Sequence, residues 1–341
     1  VSQIRWGIIG LGNIAFEFAN AFKYINNAQL KGIASRNEDK LKKFEKQFLI
    51  DKKFSFRNYE SLIECEDIDV VYIALPNSLH YEWIIKSLKN NKKVLVEKPA
   101  TINSLEIDDI KKNYLNHNSF FTESFMYMYH PQIKKTLELI KSGEIGKLVS
   151  MESMFGKDIL TKKFFFGFKK KRRLNSKSRL FDKDLGGGVI LDLGCYPVSF
   201  STLIASLTSK IDYENIEITN IKKDIGSTDV ELDAYAELNF NSNFRSIIGA
   251  SFTKNLGKKT KIIGTKGEII LADTWHAEPS IINLVNKDAK KIEFKFEKNI
   301  FSYEIDILSQ LILDRKKKLD FPVMSIEQTS VNMKILEKWM A

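Results

Sequence analysis

Three side chains of this 341-residue chain are of the types that move a proton at an oxygen atom: Lys98, Asp192 and Tyr196. Lys98 comes directly after the apolar run 94–96, in LVEKPA, so it leaves the end of a buried strand. Asp192 and Tyr196 are four residues apart in GGGVILDLGCYPV and share one face if the segment is helical, with Gly194 leaving room for a ligand. Because an ammonium group lowers the pKa of a nearby phenol, a cleft with all three suits proton transfer at a hydroxyl or carbonyl oxygen. Taken alone, the second motif also fits a helix start with an aspartate cap and a packing tyrosine.

The elements that position Lys98 lie in the first third of the chain, where apolar strands alternate with helical patterns. The predicted strands are 4–9, 30–34, 70–75 and 94–96, and the predicted helices are 14–22, 38–48 and 81–88. Strands that are apolar throughout are buried on both faces, which is typical of a parallel sheet covered by helices on both sides. The sequence therefore predicts an α/β fold that begins with a doubly wound parallel sheet.

The loop after the first strand carries the pattern Gly10-x-Gly12-x-x-Ala15 between a strand and a helix. Gly10 permits a tight turn, Gly12 lets a pyrophosphate approach the backbone, and Ala15 lets the helix pack closely on the strand. Asn13 and Ile14 open that helix, whose free N–H groups suit a phosphate. This loop predicts a dinucleotide site, and the alternative is a glycine turn with a purely structural use.

Ligands of such sheets bind at the carboxyl ends of the strands, and two further loops leave at that edge. One is ALPNSLH, residues 74–80, and the other carries Lys98. The residues of these loops predicted to contact the cofactor are Leu75, Pro76, Asn77, His80, Glu97 and Lys98. For His80, a packing role at the start of a helix is an equal alternative.

The residues at the end of the second strand indicate which of the two nicotinamide cofactors is preferred. An acidic residue there would bind the ribose hydroxyls of NAD, but this chain has Ser35 and Arg36. A hydroxyl and a guanidinium suit a 2′-phosphate, because arginine binds phosphate through charge-assisted hydrogen bonds. We predict NADP(H) as the preferred cofactor. In the alternative, Arg36 is a surface residue or stacks on adenine while NAD(H) binds.

After about residue 120 the pattern changes to strands with one buried face and one solvent-exposed face. The segment 230–240, VELDAYAELNF, alternates apolar and polar side chains with period 2, and GTKG, residues 264–267, is predicted to be a hairpin turn. The predicted organisation is a dinucleotide-binding domain over residues 1–122 and a substrate-binding and oligomerisation domain over residues 123–341. The second domain is predicted to be α/β with a mainly antiparallel sheet.

The composition argues against several other classes of protein. Apolar residues make up 43% of the chain, and no uninterrupted apolar run reaches the roughly 18 residues of a membrane helix. The two cysteines and four histidines show no metal-type spacing, so no metal site is predicted. Lysine is spread along the whole chain, so we interpret the net charge of +10 as a biased overall composition and not as a sign of nucleic-acid binding. We predict a cytoplasmic protein that binds neither membrane nor nucleic acid.

The segment 162–179, KKFFFGFKKKRRLNSKSR, is the one concentrated basic patch. We interpret it as a solvated loop. The alternative is a basic rim that attracts a phosphorylated or otherwise anionic substrate. Arg179 at its end has the same two interpretations, a surface salt bridge or a contact to an anionic substituent.

These motifs resemble, in content and order, those of the glucose–fructose oxidoreductase/inositol dehydrogenase family, often called Gfo/Idh/MocA. The resemblance rests on GLGNIA, SR after the second strand, PNSLH, EKPA, GGGVILDLGCYP and GTKGEI, and it spans residue 4 to about residue 271. RWGIIGLGNIA, ASR and ESFMYMYHPQ are most similar to the branch of dimeric dihydrodiol dehydrogenases, NADP-dependent sugar dehydrogenases and sugar 3-ketoreductases. The fold it implies is a Rossmann domain followed by an α/β domain whose large open sheet forms the interface of a homodimer or homotetramer.

The resemblance also implies roles for single residues. Lys98 would contact the substrate hydroxyl and the nicotinamide ribose, with a cis peptide bond before Pro99. Many members have histidine where this chain has Tyr196, which favours tyrosine as the general acid/base, with Asp192 orienting the substrate. The predicted substrate contacts are Tyr127, Phe155, Arg179, Asp192 and Tyr196.

The predicted function is hydride transfer between nicotinamide C4 and a carbinol or ketone carbon of a small molecule, namely a sugar or sugar derivative, including a nucleotide-linked sugar. One alternative is a dehydrogenase of a non-sugar trans-diol. Another is a sensor that binds a dinucleotide without catalysis. Because Lys98 and Tyr196 are both present, an enzyme is the favoured interpretation.

Overall fold

The computed structural model describes residues 3–116, 118–163, 169–171, 173–208, 216–240, 243–295, 299–316 and 319–341. The chain divides into two units, Val1–His130 with Glu297–Thr329 and Pro131–Phe296 with Ser330–Ala341. This division differs from the predicted ranges 1–122 and 123–341. The first unit extends to residue 130, and it also includes residues 297–329 near the end of the chain.

The first unit is built on a six-stranded sheet with the order β3-β2-β1-β4-β5-β6, and its strand pairings are parallel. Its strands and the helices between them are β1 (Ile4–Ile9), α1 (Asn13–Ala21), β2 (Ala28–Ala34), α2 (Glu38–Phe48), β3 (Ser55–Phe56), α3 (Tyr59–Glu64), β4 (Val70–Ile73), α4 (His80–Lys89), β5 (Lys93–Glu97), α5 (Ser104–Asp109) and β6 (Phe121–Ser124). The strand order reverses between β1 and β4, which is the switch point of a doubly wound sheet. The predicted parallel sheet is confirmed.

Burial on both faces explains why these strands are apolar throughout. All four residues of β4 are buried, and so are Val94, Leu95 and Val96 of β5. The helices are amphipathic, and α4 turns Trp83 and Ile84 into the core. The sixth strand, β6, lies beside β5 in parallel register. The predicted domain boundary at 122/123 would cut this strand.

The second unit contains an eight-stranded sheet with the order β10-β11-β12-β7-β13-β14-β15-β16, antiparallel except for the parallel pair β7 and β12. Its elements are α6 (Pro131–Lys141), β7 (Leu148–Gly156), the small hairpin β8 (Thr161–Lys163) and β9 (Lys169–Lys171), α7 (Cys195–Ala205), β10 (Glu217–Ile225), β11 (Glu231–Phe240), β12 (Phe244–Ser251), β13 (Thr260–Gly264), β14 (Gly267–Leu271), β15 (Ile281–Val285) and β16 (Ala289–Glu293). The mainly antiparallel sheet is confirmed. So is the GTKG hairpin, in which Gly264 pairs with Gly267.

Helices cover one face of this larger sheet. α7 packs on β7 and β12, and α6 packs on β15. Alternation along β11 buries Ala234, Ala236 and Leu238, as the period-2 pattern predicts. On neighbouring strands, half-exposed isoleucines lie among charged residues. The sheet therefore has one core face and one face with mixed apolar and charged side chains.

The last two helices of the chain are α8 (Ile300–Leu313) and α9 (Ile326–Met340). α8 belongs to the first unit, because its Phe301 ring lies 5.7 Å from Phe18 of α1 and its Ser309 Oγ accepts a hydrogen bond from Trp6 Nε1 at 2.9 Å. Trp6 and Ser309 are 303 positions apart. No local sequence pattern encodes a contact over that distance, which is why the predicted domain ranges placed α8 with the second sheet.

One helical stretch of the described structure, Lys183–Ala205, could cross a membrane by length and composition. The uninterrupted apolar runs of the sequence did not predict such a stretch. In its most apolar window 89% of the residues are buried inside the protein, which is typical of a core helix.

Candidate active site

The loop between β1 and α1 has two properties that a pyrophosphate site requires. Gly10 has a φ of +87°, and a Cβ at that position would lie 2.5 Å from the carbonyl oxygen of Ala74, so the turn needs glycine. A Cβ on Gly12 would meet nothing within 4 Å, which leaves space in front of α1. The described structure shows no side-chain cap on α1, and Asn13 and Ile14 are exposed. The N–H groups of the first turn can therefore receive an anion.

Ser35 and Arg36, at the end of β2, have different surroundings. Ser35 is buried, and its hydroxyl accepts a hydrogen bond from the Asn37 N–H at 3.1 Å, so it shapes the turn into α2. Arg36 is exposed, and its guanidinium lies 5.2 Å from the centre of the Tyr59 ring. This cation–π contact restrains the arginine while leaving its donors open to a phosphate.

The loop after β4 is tied to the Lys98 turn by His80. Leu75 and Pro76 are half-buried and Asn77 is buried. The His80 ring is wholly buried, with Nδ1 2.9 Å from the carbonyl oxygen of Pro99 and Nε2 2.9 Å from that of Leu75. These contacts indicate that His80 holds two loops together, and its contact to a cofactor stays a prediction.

Lys98 follows β5 at its carboxyl end, where it is half-buried. The peptide bond between Lys98 and Pro99 is cis, which confirms the prediction made from the resemblance. The preceding residue, Glu97, is buried and accepts a hydrogen bond at Oε1 from Tyr72 Oη of β4. Tyr72 stacks on Phe18 of α1 with ring centres 3.8 Å apart. Glu97 therefore connects the lysine turn to the helix that follows the glycine loop.

A second buried carboxyl group, Glu123 of β6, lies beside the same turn and was not predicted. Its Oε1 accepts a hydrogen bond from the Ala100 N–H at 3.0 Å, and its Oε2 accepts one from Thr329 Oγ1 at 3.0 Å. Burial raises the pKa of Glu123 to about 7, although both hydrogen bonds and the charge of Lys98 act in the opposite direction. Lys98 was recognised because it is a charged residue at the end of an apolar strand. Glu123 is likewise a charged residue in a buried strand, so the same signal could have identified it.

Glycines shape the turn that leads to Asp192. A Cβ on Gly187 would lie 2.7 Å from the carbonyl oxygen of Asp182, and Gly188 has a φ of +106°. The following segment, Ile190–Gly194, forms a π-helical turn before α7. The triple glycine thus folds the chain back on residues 179–182, which puts Arg179 next to Asp192.

Arg179 and Asp192 form an ion pair, with 3.2 Å between Arg179 Nη1 and Asp192 Oδ1. The arginine side chain is 54% exposed and the aspartate side chain is 13% exposed. Of the two interpretations of Arg179, the salt bridge is the one this structure shows. The guanidinium contacts one of the two carboxylate oxygens of Asp192.

Aromatic side chains surround the Tyr196 ring in the first turn of α7. The ring centres of Phe155 and Trp275 lie 5.3 Å and 5.5 Å away, and the His276 ring centre lies 5.8 Å from that of Phe155. Asp273 fixes this loop by accepting the N–H groups of Trp275 at 3.1 Å and His276 at 2.9 Å. Phe155 was predicted as a substrate contact, whereas Trp275 and His276 were missed because DTWH follows no helix or strand period.

Gly194 leaves room for a helix, which corrects the interpretation that its space serves a ligand. A Cβ on Gly194 would lie 2.8 Å from Cζ3 of Trp339 in α9. The indole of Trp339 is wholly buried and fills that space. The glycine is therefore needed for packing of α9 against the helix that carries Tyr196.

The predicted catalytic residues divide between the two units, with Lys98 in the first and Asp192 and Tyr196 in the second. Tyr127 also lies in the first unit, where it is wholly buried with its ring centre 5.9 Å from that of Phe125. Its contact to a substrate stays a prediction.

The basic segment 162–179 also keeps its two interpretations, because residues 164–168 and 172 lie outside the described residues. In the part of the chain that the structure describes, no group of three or more histidine, cysteine, aspartate or glutamate residues could hold a metal ion.

Both parts of the chain match sequence profiles of one family. The profile described as "Oxidoreductase family, NAD-binding Rossmann fold" matches residues 4–123, and the profile of the GFO/IDH/MocA C-terminal domain matches residues 133–270. The first match covers the parallel sheet. The second covers most of the larger sheet and the turn that carries Asp192 and Tyr196.

Individual relatives match most of the chain or nearly all of it. The trans-1,2-dihydrobenzene-1,2-diol dehydrogenase of Xenopus tropicalis is 26% identical over 98% of this chain and 96% of its own length. The D-xylose 1-dehydrogenase (NADP(+)) 2 of Haloferax volcanii is 25% identical over 81% of this chain and 78% of its own. A solved structure of a 3-ketoreductase from Actinomadura kijaniata, in complex with NADP and TDP-benzene, has a TM-score of 0.82 at 21% identity and covers 98% of this chain and 96% of its own. That likeness shows the shared fold.

Proposed function

The chain belongs to the Gfo/Idh/MocA oxidoreductase family, and from that premise we propose that it is an NADP(H)-dependent enzyme acting on a sugar or sugar derivative. It would transfer a hydride between nicotinamide C4 and a carbinol or ketone carbon. The observation that carries the proposal is the position of Lys98, which follows the carboxyl end of β5. At the switch point of the same sheet, the loop with Gly10 and Gly12 leads into α1, whose first turn has no side-chain cap. That edge is where doubly wound sheets bind dinucleotides.

The residues present suit the cofactor. Gly10 and Gly12 would let the pyrophosphate approach the start of α1, and Arg36 would bind the 2′-phosphate of the adenosine ribose. When bound, NADP(H) supplies or accepts the hydride at its nicotinamide ring. The NADP named with the xylose dehydrogenase and with the 3-ketoreductase supports the same choice.

The chain itself would supply the proton chemistry. Toward reduction, the Tyr196 hydroxyl donates its proton to the substrate oxygen, and the Lys98 ammonium stabilises the negative charge that develops there. Toward oxidation, Tyr196 in its phenolate form accepts the hydroxyl proton while the hydride leaves to the oxidised cofactor. Asp192, held by Arg179, would accept a hydrogen bond from a neighbouring substrate hydroxyl and so orient the reacting carbon.

A trans-diol is the second candidate substrate, because the relative that matches 98% of this chain is a trans-diol dehydrogenase. Turnover of aldoses, nucleotide-linked sugars and trans-diols, followed at the absorbance of NADPH, separates the two. We expect the highest kcat/KM with a sugar. A higher value with the diols would favour the second candidate, and no turnover in either direction with any of them would contradict the proposed enzyme.

Replacing Arg36 with alanine is expected to raise the Kd for NADPH by about 10- to 100-fold, because a charge-assisted contact to the 2′-phosphate is lost. The Kd for NADH, which lacks that phosphate, should stay unchanged. Fluorescence titration of both cofactors measures this difference. Arg57→Ala is the control, since Arg57 is exposed nearby and pairs with Glu38 at 3.0 Å. Equal NADPH affinity in Arg36→Ala and wild type would refute the 2′-phosphate contact.

We further propose that the protein forms a homodimer or homotetramer through the half-exposed face of the larger sheet. Ile247, Ile263 and Ile270 lie on that face among charged neighbours such as Glu152, a mixture that suits an interface better than solvent. Sedimentation of wild type should give a multiple of 39.3 kDa, and Ile263→Asp should sediment as a monomer. Leu105→Asp, at an exposed leucine of α5 in the first unit, should not change the mass. A monomeric wild type would rule out the interface.

For localisation we propose the cytoplasm. Neither Cys65 nor Cys195 is in a disulfide bond in this structure, which suits a reducing compartment. Cell fractionation with an antibody to the protein tests the proposal, and recovery of the protein in a membrane or extracellular fraction would contradict it.

A further inference from the structure

Side chains from other elements hold the backbone immediately after Lys98 at two consecutive residues. The carbonyl oxygen of Pro99 lies 2.9 Å from His80 Nδ1, at the start of α4. The N–H of Ala100 donates to Glu123 Oε1 of β6 at 3.0 Å. The turn that aims Lys98 is therefore restrained from both neighbouring elements of the first unit.

Glu123 can act as an anchor because it is itself fixed. Its backbone pairs with Val96 in the parallel register of β5 and β6, which sets the carboxyl group beside the turn. Its other oxygen, Oε2, accepts a hydrogen bond from Thr329 Oγ1 at 3.0 Å. A buried carboxyl group is costly unless its oxygens are bonded, and here each oxygen has a protein donor.

The contact to Ala100 does not depend on the charge of Glu123. The side chain is almost fully buried, and burial raises its pKa to about 7. If a proton is bound at Oε2, the Thr329 hydroxyl can accept instead of donate, and Oε1 keeps its hydrogen bond from Ala100. A neutral amide in the same place could therefore make the same contact.

We propose that Glu123 is a positioning residue for Lys98. Its Oε1 fixes Ala100 while His80 fixes Pro99, so the lysine leaves β5 in one direction. This inference rests on the proposed function in so far as Lys98 is the residue that acts on the substrate. The lysine side chain is long and flexible. The direction in which it leaves the backbone therefore limits the region that its ammonium group can reach. Reactive groups need placement to within about 0.5 Å, and a displacement of about 1 Å can cost about 100-fold in rate.

The experiment compares Glu123→Met with Glu123→Gln. Methionine keeps a similar side-chain length but offers Ala100 no oxygen, whereas glutamine keeps an oxygen acceptor. We expect Glu123→Met to lower kcat by about 10- to 100-fold with the KM for NADPH unchanged, and Glu123→Gln to restore kcat to near the wild-type value. The control is Glu304→Gln, at another fully buried glutamate of the first unit, which accepts a hydrogen bond from Ser124 and none from the turn.

Crystal structures of wild type and both variants give a measurement that needs no substrate. Displacement of Lys98 Nζ by more than about 0.5 Å in Glu123→Met, together with its return in Glu123→Gln, supports the proposal. An unmoved lysine in Glu123→Met, or a Glu123→Gln as displaced and as slow as Glu123→Met, overturns it. If Glu123→Met does not fold, Thr329→Val is the deciding variant. It removes the hydrogen bond from Thr329 to Glu123 Oε2 and should shift Glu123 together with the turn after Lys98. An unshifted turn in Thr329→Val overturns the proposal. Failure of the proposed function would show differently, as a wild type that turns over no substrate.

Discussion

Replacing Lys98 with alanine is expected to lower kcat by about 10²- to 10³-fold while NADPH still binds with near wild-type affinity. In the proposed mechanism, the ammonium group stabilises charge that appears on the substrate oxygen only in the transition state. The phosphates of the cofactor are instead proposed to bind the glycine loop and Arg36, which the substitution does not change. Steady-state kinetics and fluorescence titration of NADPH measure the two quantities separately.

Lys93→Ala is the matched control, because Lys93 is the first residue of the same strand, β5, and is half-buried like Lys98. It should keep wild-type kcat. A kcat of Lys98→Ala equal to that of Lys93→Ala would remove Lys98 from the mechanism. A loss of NADPH affinity as large as the loss of kcat would make Lys98 a cofactor-binding residue instead.

Replacing Tyr196 with phenylalanine is expected to lower kcat by about 10²- to 10⁴-fold, the usual contribution of a general acid or base. The Tyr196 ring contacts the rings of Phe155 and Trp275, and phenylalanine keeps those ring contacts. The melting temperature should therefore stay close to that of wild type. The substitution removes only the hydroxyl group that is proposed to donate the proton, so the loss should appear in kcat.

Tyr235→Phe is the control for Tyr196→Phe, since Tyr235 is a half-buried tyrosine of β11 in the same unit. The double variant Lys98→Ala with Tyr196→Phe should be only slightly slower than the slower single variant, because both groups are proposed to act in the same step. Multiplied losses would mean that they act independently. Near wild-type turnover of Tyr196→Phe would contradict the proposed proton transfer.

Much of the candidate site could be predicted because its signals are local. Glycine at residue 10 indicates a positive φ, and the structure has that backbone conformation there. A lysine directly after a buried strand is costly to keep unless it reaches an open edge. These inferences need only the residue and its immediate neighbours, and the structure agrees with them.

Other parts of the site depend on residues far apart in sequence, and the sequence offers no local signal for them. Nothing near Gly194 indicates that Trp339 fills its free side. The loop with Trp275 and His276 reaches the ring of Phe155, more than a hundred positions earlier, through an irregular segment without a period. Glu123 did have a local signal, but its partner Thr329 lies 206 positions away.

The sequence by itself determined the parallel sheet, the mainly antiparallel sheet after it, and the glycine and lysine turns at the sheet edge. Hydrophobic periodicity and turn chemistry act between neighbours in the chain, so they can be recognised without the fold. Only the tertiary structure decided that α8 returns to the first unit, that Arg179 pairs with Asp192, and that Glu123 and His80 hold the turn after Lys98. Those contacts form when burial brings distant polar groups together and each must find a hydrogen-bond partner, and the partner is whichever group the packed elements place within reach.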